Sequence, residues 1–421
     1  MSDSLTPTAR PRVLLIGGKP AHVRKALELG LDVVLAQYPD AYENDHWPPG
    51  VEKVLRLDYG DLDQLVPLVR ELHEQRPFAA AVSLFELGLL PAARVSEELG
   101  LGGESVATVE LLLDKGRMRR LLEAKGISPV ASAVGRSARD VRAFVAVHGL
   151  PVIVKPVRES GSLGVLRIDD EAGVEAAADR YRSIDDGHWN PGDLAFADSF
   201  DEFLMEEYLD GPEISVETLS SAGRHVIIAV TDKEIGGAGF VETGHSQPSR
   251  HPAAALREAA RLVTDFLDAV GLRNGPGHTE VKLTSRGPRI VESHNRVGGD
   301  RINELTEITT GVDMERHALA AGLGLLQPPA TSPSPRGGAA IRFLTPEPGR
   351  VAEVTGSDAV RADPVFVELQ LKAGPGTVIP PLTWNEEKTG HVIARGATAT
   401  EALTNAGRLA AAIRIRTEPV A

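Results

Sequence analysis

The chain has 421 residues, 42% of them apolar and 25% charged, enough for two or three separately packed cores. Its formal net charge of −14 argues against a general nucleic-acid or anionic-membrane binder, while leaving room for a local basic pocket that takes a phosphate. There is no cysteine, which rules out disulfides and thiolate metal sites and fits a cytoplasmic protein, and no run approaches 18 apolar residues, which argues against a membrane-spanning helix.

The polar start, MSDSLTPTAR, lacks the apolar core of a signal peptide and reads as a frayed lead-in. RVLLIGG (12–18) reads as a buried parallel strand, HVRKALELG (22–30) as a helix stopped by Gly30, and LDVVLAQ as the next strand. AAAVSLFELG (79–88) predicts a further central strand. Gly17 and Gly18 mark a tight strand-to-helix turn, because GGKPAH lacks the full G-x-G-x-x-G spacing of a dinucleotide loop.

A second block begins near residue 105. ATVELLLDKGRMRRLLEAKGI carries leucines at helical spacing, with Gly126 as its stop. LPVIVKPV (150–157) predicts a strand, RESGSLGV a loop and VLRIDD a strand. FLMEEYLDGPEISVETLS (203–220) predicts two strands around a short connector, and AALREAARLVTDFLDAVGL (254–272) an amphipathic helix. QPPATSPSPRGG (327–338) reads as a linker. Beyond it AAIRFLT, FVELQLK and HVIARG predict short strands, and TATEALTNAGRLAAAI a closing helix.

The chemistry gathers around two acids. If TEVKLT and PRIVES are hairpin arms turning through Ser285, Arg286 and Gly287, a symmetric register sets Glu280 opposite Glu292, with Cβ atoms about 5 Å apart. Like charges so close are destabilising unless a cation sits between them, and Mg²⁺ takes one or two carboxylates together with phosphates and water. Strand alternation places Glu292, His294 and Arg296 on one side, so the arginine would reach anions near the metal. Two acids alone also fit a solvated sheet face; the residues elsewhere favour the ion. Lys155 interrupts an apolar strand, where a lysine is costly unless paired or facing a ligand. Five residues on, SGSLG offers main-chain N–H groups that wrap phosphate oxygens. Lys115 supplies a second positive charge, or is a solvated helix lysine. The DGP connector can present main-chain groups to a purine edge, and Glu213 can accept from ribose hydroxyls.

The ordered set DK, VIVKP…SGSLGV, MEEYLDGPE, HTEVKL and VESHNRVGGD, over roughly residues 105–325, resembles the ATP-grasp superfamily of ligases. The resemblance implies an α/β fold: a Rossmann-like N-terminal domain (1–105), a mobile lid with its leading helix (106–205), a central catalytic domain (206–326), and a linker with a C-terminal α+β subdomain (327–421). It implies that Lys115 and Lys155 hold ATP phosphates under a loop comprising Ser160, Gly161, Ser162 and Gly164. Glu206, the Glu207 main chain and Leu209 would read adenine, and Glu213 the ribose. Glu280 and Glu292 would bridge Mg²⁺, with Mn²⁺ as a further option, and Arg296 would stabilise an acyl phosphate. The family's E-x-N-x-R pattern is altered to Glu-Ser-His-Asn-Arg, so His294 takes the asparagine slot as a metal or phosphate contact and Asn295 should point the other way.

FVETGHSQPS (240–249), RVGGDRINEL (296–305) and GHVIARGATATEAL are similar to the L-amino-acid ligase branch, the bacilysin-type dipeptide synthetases. This implies that Glu242 and His245 line a substrate pocket and that Gly298 and Gly299 admit a substrate carboxylate. Asp300 reads as the cap of a helix starting at Arg301. The implied activity is ATP-dependent carboxylate–amine ligation through an acyl phosphate on small amino-acid or amine substrates, by a homodimer. The tail also resembles the carboxylase branch acting on aminoimidazole ribonucleotide or biotin. A non-catalytic ATP-binding module would not need both acids, both lysines and Arg296.

Overall fold

A computed structural model of the chain describes residues 10–175, 177, 202–236 and 240–420. The polar lead-in (1–9) and most of 176–201 lie outside the described residues. The N-terminal strands β1 (Arg12–Ile16), β2 (Asp32–Gln37), β3 (Lys53–Arg56) and β4 (Ala80–Val82) form a parallel sheet in the order β3-β2-β1-β4. Every β1 residue is buried, as a sheet covered on both faces requires. β1 leaves through Gly17 and Gly18, both at positive φ, into helix Pro20–Glu28.

Two expectations fail in instructive ways. The strand expected over 79–88 ends at Val82, and helix Glu86–Leu99 begins four residues later. The apolar SLF run continued the strand pattern, but the Ser83 hydroxyl accepts the Phe85 N–H at 3.1 Å and turns the chain. The acid Glu86 then stands in the first turn, where the helix dipole favours it. The long helical block around residue 115 is two helices, Val106–Leu113 and Lys115–Lys125. Asp114, in extended conformation, caps the second by accepting the Arg117 N–H at 2.9 Å. Lys115 is therefore the first residue of a helix rather than a mid-helix side chain.

Strands β5 (Ser132–Gly135), β6 (Val152–Pro156), β7 (Leu166–Ile168) and β8 (Phe203–Glu207) make an antiparallel sheet in the order β5-β8-β6-β7, packed on helix Ala138–His148 through Val141 and Phe144. The chain then crosses to a larger antiparallel sheet containing β9 (Glu213–Ser221), β10 (Arg224–Gly236), β11 (Val241–Gln247), β12 (Gly275–Thr284), β13 (Gly287–His294) and β14 (Gly338–Phe343). β15 (Gly349–Thr355) leaves that sheet, β16 (Phe366–Leu371) rejoins it, β17 (Val378–Ile379) pairs with β15, and β18 (Gly390–Gly396) completes it. The large sheet runs β13-β12-β9-β10-β11-β14-β18-β16. After helix Ala399–Ala412 a strand missing from the sequence reading, β19 (Arg414–Glu418), pairs with β15. Its RIRTE sequence is mostly polar and hid it.

Helix Ala253–Val270 packs Ala259, Val263, Phe266, Leu267 and Val270 against Ile214, Val216, Val281 and Ile290. These spacings trace one helical stripe. Burying Phe266 alone is worth about 2 kcal/mol. This contact holds rigid the strands that carry the two acids. Among the described residues no helix is long and apolar enough to cross a membrane.

Candidate active site

The two acids face each other through a route the sequence did not display. β12 and β13 join by a two-residue turn, Ser285 and Arg286, with Thr284 opposite Gly287, rather than by the expected three-residue turn. That register would set Val291 opposite Glu280. A bulge at Val291 shifts it, so that Glu280 pairs with Glu292. The bulge also directs consecutive residues, Val291 and Glu292, into the same cleft.

Cations flank both carboxylates. Lys115 Nζ lies 2.9 Å from Glu292, and Lys233 ion-pairs with Glu280 while also reaching Glu242 at 2.6 Å and Glu213 at 3.1 Å. His294 Nε2 is 3.2 Å from Glu292, and His278 Nε2 is 3.5 Å from Glu280. Burial opposes ionisation of Glu292, but Lys115 and His294 outweigh it and hold the carboxyl well below its usual range. Burial likewise opposes ionisation of Glu280; Lys233 outweighs it and the repulsion from Glu292. Two opposed, ionised oxygen donors are the chemistry a hard divalent cation selects, so the donor set fits Mg²⁺ held by Glu280 and Glu292.

The pair lies in a cleft of about 880 Å³, counted out into its open mouth, lined by residues of both antiparallel sheets. Lys115, Lys155, Ser160, Gly161, Ser162, Glu206, Glu207, Leu209 and Glu213 all line it. Gly161, Ser162 and Gly164 each take positive φ, +67°, +63° and +68°, which gives the loop its tight path. Ser162 is held in this conformation by donating from its hydroxyl to the Phe240 carbonyl at 3.2 Å. The Glu206 carboxylate is committed elsewhere than to a free base edge: Arg119 Nε lies at 2.5 Å and Lys155 Nζ at 2.9 Å. Burial raises its pKa, but the two cations prevail and bring it down to about 2. The Glu207 side chain accepts the Ala131 N–H at 3.1 Å and pairs with Arg286 at 2.6 Å.

Beyond the acids lies a second, open chamber of about 1490 Å³, again counted out into its mouth, reaching to the N-terminal region. Glu280, Glu292 and Glu242 border both spaces. Glu86 ion-pairs with Arg296 and accepts from His294 Nδ1 at 2.8 Å, so helix Glu86–Leu99 and the end of the hairpin share one charge network. Glu242 lies 3.2 Å from His245 Nε2, and His245 is fully buried with no hydrogen bond to either ring nitrogen among the described residues. Gly298 and Gly299 line the same chamber; a Cβ on Gly298 would come within 2.9 Å of His278. Asp300 is not a helix cap. The helix is Ile302–Thr310, its cap position is Arg301 in left-handed conformation with no side-chain capping bond, and Asp300 instead ion-pairs with Lys388. Burial, then Glu242, raises the Asp300 carboxyl to about 6. Asn295 lines a separate, smaller cavity beside β4, while His294 stays with the acids.

Lys233, Glu86 and Asn385 are among the lining residues that the sequence did not single out. Lys233 also lies inside a strand, but its neighbours Asp232 and Glu234 made the stretch look like an ordinary polar one. Glu86 was hidden by a misread strand. Asn385, from a 3-10 turn far along the chain, gave no local signal at all.

Family models match three successive stretches: an ATP-grasp N-terminal domain over residues 23–103, an ATP-grasp domain over 148–304, and an L-amino acid ligase C-terminal domain 2 over 342–418. The chain belongs to the ATP-grasp superfamily. This ATP-grasp chain is similar to alanine–anticapsin ligase of Bacillus subtilis (strain 168), 31% identical over 242 residues that make up 54% of this chain and 50% of that protein. It therefore spans about half the length of that relative. It is also similar to an L-arginine-specific L-amino acid ligase of Bacillus subtilis, 24% identical over 340 residues, 79% of this chain and 78% of that protein. The solved L-amino acid ligase from Bacillus licheniformis shares its fold with a TM-score of 0.81 at 22% identity, covering 98% of this chain and all of that one.

Proposed function

We propose that the protein is an ATP-dependent carboxylate–amine ligase that joins an amino acid or related acid to an amine. The observation that carries this reading is that two chambers meet at one pair of ionised glutamates. A nucleotide occupies the first chamber. Lys115 and Lys155 hold its phosphates under the 160–164 loop, the Glu207 main chain and Leu209 meet the adenine, and Glu213 meets the ribose. Glu206 acts through Lys155, which it orients, rather than through the base. Mg²⁺, held by Glu280 and Glu292, supplies charge neutralisation for the transferring phosphoryl group.

The first substrate's carboxylate oxygen attacks the γ-phosphorus as the bond to the β–γ bridging oxygen breaks, giving an acyl phosphate and ADP. Arg296, held in place by Glu86, offsets the charge on that intermediate, with His294 beside it. The amine's lone pair then forms the C–N bond and phosphate leaves with its electron pair. Glu242, which borders both chambers, would bind the amine and take its proton; His245 lines neither chamber, contrary to the expectation from the sequence, and can act only through Glu242, 3.2 Å away. Gly298 and Gly299 would leave room for a substrate carboxylate. The match to an L-amino acid ligase C-terminal domain supports an amino acid as the phosphorylated acid over the bicarbonate of the carboxylase branch.

The test is phosphate release from ATP and Mg²⁺ with pooled amino acids, followed by mass spectrometry of the products. Release that requires two amino acids, with a new amide in the product, is expected. Release that requires only bicarbonate contradicts the reading. Arg296→Ala should slow turnover by about 100-fold or more while leaving nucleotide affinity nearly unchanged.

A further inference from the structure

We propose that Asn385 is a positioning residue that ties the nucleotide chamber to the acceptor chamber. The inference rests on the ligase reading and deepens it. Asn385 is buried and borders both spaces. Its main-chain N–H donates to the Gly161 carbonyl at 3.1 Å, in the middle of the glycine loop. Its side-chain Oδ1 accepts the main-chain N–H of Glu242 at 2.9 Å. One residue thus touches the main chain of a phosphate-side loop and of an acceptor-side strand.

The strand geometry explains why Glu242 needs this partner. β10 and β11 slip register between Glu234 and Ile235, so that Glu242 faces Ile235 while Gly244 faces Glu234. On its other edge β11 pairs with β14 only from Gly244 onward. The Glu242 N–H therefore lies beyond that ladder, and a buried N–H must find an acceptor. Asn385 provides it. Glu242 is also 2.6 Å from Lys233, which reaches Glu280, so a shift in the Glu242 main chain is felt at the acid pair.

The segment around Asn385 is itself anchored at both ends. Trp384 packs on the core of the β5-β8-β6-β7 sheet, and its N–H donates to Glu387 at 3.2 Å. Lys388 lies 3.8 Å from the Phe343 ring centroid and ion-pairs with Asp300 beside Gly299. Segment 384–388 of the C-terminal domain is thus fixed to the small sheet, to the glycine loop and to the Gly298–Asp300 turn. A nucleotide that settles the glycine loop settles Asn385, and through it the wall that receives the amine.

Hydrogen exchange read by mass spectrometry, with MgADP as the probe, tests this on the full chain. In the wild type MgADP should slow exchange in 160–164 and also in 241–245, by about fivefold or more in the second segment. Asn385→Ala should keep the first protection, with ADP affinity within about threefold of wild type, and lose the second. Asn385→Asp retains the acceptor oxygen and should restore it, an outcome that a merely structural role does not require. Unliganded exchange in β9 and β12 reports whether each variant is folded. If wild-type protection stops at 160–164, or persists at 241–245 in Asn385→Ala, the coupling is overturned while the nucleotide site stands. If MgADP protects neither segment, the nucleotide reading falls, and the inference with it.

Discussion

Glu206 shows how a residue type can be foreseen at the site while its partner is not. The sequence placed it beside a purine; the fold places it between Arg119 and Lys155, buried. Its carboxyl is lowered from 4.5 to about 2, so its stabilisation is fully present above about pH 4.5 and is lost as pH falls through about 2. Glu206→Gln should therefore cost about 3 kcal/mol at pH 7, by leaving two buried cations short of a counter-charge. The difference from wild type should narrow towards zero by pH 2. Urea unfolding at neutral and acid pH measures both values, and an equal deficit at the two would contradict the pairing. Lys155 was legible because a lysine inside VIVKP is costly without a partner. Lys233 was not, because VTDKEIG flanks it with acids, and its three carboxylate partners come from β9, β11 and β12, which no local pattern brings together.

At the scale of elements, the hairpin and the helix break matter most. The sequence placed Glu280 opposite Glu292 on the assumption of a three-residue turn and an unbroken ladder. The chain reaches the same pairing with a shorter turn and a bulge. Periodicity reports which residues share a face, but a turn and a bulge that compensate each other leave the same pattern. The break at Asp114 was invisible for a similar reason, since leucines at helical spacing run on both sides of it. It matters because Asp114 caps the helix that starts with Lys115, and the Lys115 N–H donates to the Val157 carbonyl at 2.9 Å. Asp114→Ala should cost about 1 kcal/mol of stability. It should weaken ADP binding by more than the stability loss alone explains, because in the proposed function the lysine it orients would hold the phosphates. Denaturant unfolding and ADP titration of one preparation separate the two effects. An unchanged ADP affinity would show that the cap serves the fold only.

At the scale of the whole molecule, the N-terminal parallel sheet, the linker and the closing helix were legible because each follows a simple period or composition. The assignment of strands to sheets was not. β8 and β9 flank a connector of five residues yet belong to different sheets, and the cleft lies where the chain crosses between them. The second chamber is less legible still. Glu86, His294, Arg296, Asp300 and Asn385 come from three separate regions of the chain, and only the packed fold brings them to one space. The resulting molecule places ionised carboxylates, each held by a lysine of the chain itself, where two cavities touch.

The most direct test of that arrangement is calorimetric titration of ADP with and without Mg²⁺, on the wild type and on Glu280→Gln and Glu292→Gln. The expected result is binding that tightens by about tenfold or more with Mg²⁺ in the wild type, and a metal effect that shrinks towards nothing in each variant. ADP affinity that ignores Mg²⁺, or a metal effect that survives the loss of either carboxylate, would contradict the role given to this pair.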